Sequence, residues 1–108
     1  MEMTAIKRDK KMIVSLSGEI DHHSARDIRD AIDRLIIAER PECLILDLSG
    51  IDFMDSSGLG LVLGRYRKAK QANCDMLLCG MSDRVKNILC LAGVDKLIRF
   101  ASEKNAAD

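Results

Sequence analysis

Aromatic residues are nearly absent: the 108 residues include no tryptophan, one tyrosine and two phenylalanines. Proteins that bind single-stranded nucleic acid without sequence preference stack bases on aromatic rings, and this chain has no such platform. An excess of charge of either sign is missing as well. Lys+Arg and Asp+Glu each number 17, so no net field draws the chain toward a nucleic acid or an anionic membrane. No apolar run approaches the roughly 18 residues of a membrane span. The basic start MEMTAIKRDKK has no apolar stretch behind it of the kind a secretory signal carries. The expectation is a cytoplasmic chain that binds neither membrane nor nucleic acid. Paired cysteine spacing is also lacking. Cys43, Cys74, Cys79 and Cys90 form no C-x-x-C pair, which argues against a zinc or dithiol redox motif and for buried free thiols.

What is present is 47% apolar residues, enough for one ordinary core, and the reading is a single domain over residues 1–108. From Met12 to Ser17 the pattern alternates, with Met12, Val14 and Leu16 on one side. Residues 3 to 8 give a weaker strand, joined to it by Asp9-Lys10 as an antiparallel pair. The period then changes. Ile28, Ala31, Ile32, Leu35 and Ile36 fall at helical spacing, with Ser24-x-x-Asp27 as the candidate cap and Pro41 beyond the end. The run from Cys43 to Leu48 reads as a strand covered on both faces.

A second helical stripe follows in Leu59, Val62, Leu63, Tyr66 and Ala69, with Arg65, Arg67, Lys68 and Lys70 as cations suited to the end of a helix. Met76 to Cys79 gives another buried strand. A third helix starts at Ser82, turns Val85, Ile88 and Leu89 inward and stops at Gly93. Leu97 to Phe100 adds an edge strand, and Ser102 to Asp108 is a polar tail with the pattern of a frayed helical turn. Helix-strand units after an initial hairpin imply an α/β fold with a mixed sheet: an N-terminal antiparallel pair, then parallel strands and packed helices.

In such sheets function gathers where the parallel strands end. Two loops meet that description, Gly18 to His23 and Ser49 to Ser57. Together they carry Glu19, Asp21, Asp52, Asp55, His22, His23, Ser56 and Ser57, an acidic edge on a neutral chain. The two serines separate by position. Ser57 stands just before Gly58 and reads as the cap of the second helix. Ser56, one residue earlier, is left with a free hydroxyl beside a helix start, where a phosphate would be favourably placed. Gly60 and Gly64, one turn apart, each weaken a helix by about 1 kcal/mol relative to alanine. Either a partner backbone approaches them or the protein packs one of its own elements there.

The segments GEIDHHSA (18–25) and DFMDSSGLGLVLGRYR (52–67) closely resemble the STAS-domain family, and within it the anti-sigma factor antagonists of bacterial sporulation; the likeness runs over essentially the whole chain. The resemblance implies a mixed-sheet α/β fold, no enzymatic activity and regulation of transcription by partner switching. It implies an anti-sigma factor serine kinase as partner, with ATP or ADP carried by that partner and no cofactor on this chain. Ser56 is the residue the resemblance marks for phosphorylation. The unphosphorylated chain then binds the nucleotide-loaded anti-sigma factor and frees the sigma factor. The phosphorylated chain does not bind, and a phosphoserine phosphatase restores it. Asp21, Ser56 and the helix from Gly58 fall on the implied contact surface. With their neighbours, the candidate partner-binding residues are Asp21, His22, Asp55, Ser56, Ser57, Gly58, Gly60 and Gly64, on a chain expected to be monomeric.

Sharper chemistries fit less well. Gly58-x-Gly60-x-x-x-Gly64 echoes a dinucleotide loop but lies outside a first βα turn. A hydrolase built on Ser56 with His22 or His23 lacks G-x-S-x-G. A metal held by Asp21, His22 and His23 would need adjacent histidines to converge on one ion. A STAS regulator of a general stress pathway, or a STAS module sensing a small ligand, is the remaining alternative, and the G-E-x-D-H-H segment favours the sporulation branch.

Overall fold

The computed structural model describes residues 1–102. The chain forms β1 (Glu2–Arg8), β2 (Lys11–Ser17), α1 (His22–Glu39), β3 (Cys43–Gly50), α2 (Ser56–Gln71), β4 (Asp75–Cys79), α3 (Asp83–Leu91), a 3₁₀ turn (Val94–Lys96) and β5 (Arg99–Ala101). The five strands lie side by side in sequence order. β1 and β2 pair antiparallel through the two-residue turn Asp9-Lys10, where Asp9 takes φ 55°, and the three later pairings are parallel. The expected mixed sheet is therefore present. The polar tail falls mostly outside the described residues.

All three helices pack on one face of the sheet. Met12, Val14, Leu16, Leu44, Leu46 and Leu48 point into that layer, where they meet Ile32 and Ile36 of α1, Leu61 and Val62 of α2, and Val85 and Leu89 of α3. Among the described residues the other face has no helix, yet Ile13, Ile45, Leu77 and Cys79 form a second buried cluster there. β3 is thus buried on both sides as its apolar run suggests. Asp47 is the exception in that run: it is 6% exposed, accepts a hydrogen bond from Ser15 Oγ at 3.0 Å and another from Ser49 N at 3.1 Å. A buried carboxylate so bonded is tolerated where a bare one would not be.

Three expectations are corrected. The cap of α1 is Asp21 and not Ser24: Asp21 Oδ1 accepts from Ser24 N at 2.8 Å while Ser24 Oγ accepts from Asp21 N at 3.0 Å, a reciprocal box that starts the helix earlier. Arg65, expected among the cations at the end of the second helix, is instead 6% exposed, with its Nε 2.8 Å from Asp33 Oδ1 of α1. The approach is that of an ion pair more than of an aligned hydrogen bond. Leu61, rather than Leu59 or Leu63, completes the buried face of α2. All four cysteines are free; Cys74 and Cys79 are buried, whereas Cys90 is exposed on α3. Burial pushes the Cys74 thiol up to about 11.

Candidate functional site

Parallel pairing of β2 with β3 brings the loops after both strands to one edge. They approach so closely that a Cβ on Gly50 would lie 2.5 Å from Ser17 Cβ and 2.7 Å from the Leu16 carbonyl oxygen. Only glycine fits there, and the bond from Gly18 N to Gly50 O at 3.1 Å ties the loops together. Each loop is then anchored by its apolar residues. Ile20, Ile51 and Met54 are buried, which leaves Glu19, Asp21, Asp52, Phe53 and Asp55 exposed around them. Glu19, Asp21, Asp52 and Asp55 surround a concavity of about 450 Å³, so the acidic edge exists as expected.

Both helices that leave these loops are capped by an aspartate. Asp55 Oδ1 accepts from Ser57 N at 2.9 Å and from Gly58 N at 3.4 Å, and it is Asp55, not Ser57, that caps α2. Ser57 is the second helical residue, and its Oγ lies 3.4 Å from His22 Nδ1 of α1. This contact joins the two helix starts. The Ser24 backbone N–H, first among its causes, holds the Asp21 carboxyl below the ordinary aspartate value. In both Asp21 and Asp55 it is Oδ1 that accepts from the first turn of the helix.

Ser56 is the first residue of α2 and does not precede it. Its side chain is exposed, and its hydroxyl has no partner among the described residues. On its other side lies a feature absent from the sequence reading: a groove of about 430 Å³ between α1 and α2, with Ser56 and Ser57 at its upper end, Gly60 and Gly64 along it, and Arg26 and Arg29 in its α1 wall. The surface is therefore divided, acidic on the loop side and basic on the helix side, with Ser56 at the seam. A Cβ on Gly60 or Gly64 would meet nothing within 4 Å beyond the helix's own nearby backbone, so neither glycine makes room for another element of the protein. Gly58 differs, since a Cβ there would run into Met54 Cγ.

His22 faces Ser57 and not Ser56, so the imagined serine-histidine pair does not form on the exposed hydroxyl. Among the described residues no group of three or more His, Cys, Asp or Glu side chains is placed to hold a metal ion, and no helix is long and apolar enough to cross a membrane.

The α/β layer thus presents two loops, a groove and an exposed serine at one edge. The chain belongs to the STAS-domain family, whose description matches residues 2–107. It is 38% identical over 96 residues to an anti-sigma F factor antagonist of Paenibacillus polymyxa, covering 88% of this chain and 82% of that one. The structure of the anti-sigma factor antagonist SpoIIAA in its unphosphorylated form superposes with a TM-score of 0.83 at 30% identity, covering 99% of this chain and 94% of that one. The Bacillus cell fate determinant SpoIIAA in its phosphorylated form gives a TM-score of 0.75 at 28% identity, with 97% and 96% covered.

Proposed function

We propose that this chain is an anti-sigma factor antagonist that works as a phosphorylation-controlled binding switch. Unphosphorylated, it docks on a nucleotide-loaded anti-sigma factor and displaces the sigma factor. Phosphorylated on Ser56, it lets go. The observation that carries this reading is the placement of Ser56: exposed, unengaged and first in α2, between the acidic loops and the α1–α2 groove. The family relationship supports it, since relatives bear the antagonist name.

The transfer needs no catalytic group from this chain. Ser56 Oγ attacks the γ-phosphorus of ATP held by the partner kinase, the bond to the bridging oxygen breaks, ADP leaves, and the hydroxyl proton passes to a base of the kinase. The product carries a charge of about −1.5 to −2 at pH 7. The α2 start tolerates it, because the positive end of the helix lies beside it. What changes is complementarity, since bulk and charge now stand at the centre of the docking edge. The kinase is the partner on this reading, nucleotide belongs to it, and a phosphoserine phosphatase reverses the modification.

The test combines two variants with the cognate kinase. Ser56→Ala should bind and accept no phosphate, while Ser56→Asp should bind more weakly by about 3 kcal/mol, roughly a hundredfold. Mass spectrometry of the wild-type chain after incubation with kinase and ATP should find one phosphate, on Ser56. Labelling confined to Ser57, or equal affinity of Ser56→Asp and wild type by calorimetry, would overturn the reading.

A further inference from the structure

The basic wall of the groove has no role in the switch as described so far. α1 and α2 run side by side in the same direction: His22 meets Ser57 at their start, and Asp33 meets Arg65 about three turns on along α1 and about two along α2. Between these two contacts, Arg26 stands one turn after His22 on α1, and Gly60 stands one turn after Ser56 on α2. Both line the same groove as Ser56. Arg26 is exposed and has no ion-pair partner among the described residues. Its neighbours in the groove are already engaged: Arg29 Nε lies 3.1 Å from Asp30 Oδ1, and Arg65 is paired with Asp33.

Helical side chains lean back toward the N-terminus of their helix. Arg26 therefore leans toward the level of Ser56, an axial offset of about five residues, roughly 7.5 Å, across the roughly 8–10 Å between packed helix axes, a gap the long arginine and the phosphoserine span together. The bare position at Gly60, where nothing beyond the helix's own nearby backbone lies within 4 Å of a would-be Cβ, leaves the space between them open. A guanidinium presents a planar fork matched to phosphate oxygens. We infer that Arg26 is the intramolecular receptor for the Ser56 phosphate, so that phosphorylation draws Arg26 over the Gly60 floor and closes the upper end of the groove. The inference rests on Ser56 being the modified residue, and it adds a cause for release: the docking groove is filled from within as well as charged at its rim.

The experiment bypasses the kinase. Phosphoserine is incorporated at position 56 during synthesis by nonsense suppression, and the second ionisation of the phosphate is followed by phosphorus-31 NMR at low salt. Asp21, Asp55 and His22 face the same edge and are kept in every version, and each variant replaces one arginine alone, so the variants report on single arginines. An unperturbed phosphoserine has its second pKa near about 6. Arg26→Gln should raise the value in the folded chain by about one unit, the scale of a nearby opposite charge, and Arg29→Gln should raise it distinctly less. Circular dichroism should be unchanged in both. No change on Arg26→Gln, or equal changes for the two variants, would overturn the inference, the latter by showing a diffuse field without a contact. Failure of a kinase to label Ser56 would instead count against the proposed function and leave this titration unaffected.

Discussion

Gly58 and Gly60 sit two residues apart on α2 and look alike in the sequence, yet they answer to different constraints. Gly58 is on the flank turned into the protein, where Met54 from the preceding loop occupies the space a side chain would need. Gly60, like Gly64, is on the flank turned to the groove, where nothing occupies it. One glycine is required by the fold. The others weaken the helix, by about 1 kcal/mol each relative to alanine, without any internal packing in return. On the proposed function, that open flank is where a partner docks, and the Arg65–Asp33 pair ties the helix to α1 beside it.

The sharpest way to break this division is to attack the inner flank. Asp33→Ala leaves the Arg65 charge without its partner in a side chain only 7% exposed, and a loss of about 3 kcal/mol in urea unfolding is expected. A loss below about 1 kcal/mol would mean that Arg65 reaches water through the groove and that the inner flank is less closed than its burial implies. Gly58→Val forces bulk against Met54, and about 2 kcal/mol of destabilisation should follow, read in the same assay. Full stability in that variant would place Gly58 with the other two. The outer flank should respond with the opposite sign: Gly60→Ala and Gly64→Ala should each stabilise the chain by up to about 1 kcal/mol while weakening partner binding by calorimetry. Destabilisation by either would show a packing contact at the groove floor.

The sequence made some of this legible and hid the rest for identifiable reasons. The hairpin at Asp9-Lys10, the change from alternation to helical spacing after Ser17, and the apolar run from Cys43 each follow from local periodicity, which is how backbone geometry writes itself into sequence. Caps were harder. Asp55, Ser56 and Ser57 are all cap-forming residue types in a row, and which one accepts the N–H of Ser57 and Gly58 depends on where the chain turns, a matter decided by the anchoring of Met54. The same ambiguity set Ser24 against Asp21.

Arg65 was grouped with the cations of the helix end because its partner, Asp33, lies on another helix, and no period within α2 announces it. The two readings of Gly60 and Gly64 could be separated only by the space around them. The acidic side of the site was visible as a cluster of aspartates in two loops. Its basic side was not, since Arg26 and Arg29 belong to the middle of an ordinary amphipathic helix until α2 is laid beside it.

The strands of the sheet stand in the order in which they occur in the chain. During synthesis every new strand therefore finds its neighbour already made, and no early strand has to wait, exposed, for a later one to be inserted between two others. The hairpin is complete first, β3 is added to it after α1, and by the time α2 has followed, both loops, both caps and both walls of the groove have left the ribosome, ahead of β4, α3 and β5. Such an order of assembly limits the time for which unpaired strand edges are offered to other chains. It also means that this edge belongs to the first 71 of the 108 residues, and the shorter part made later serves to complete the layer beneath it.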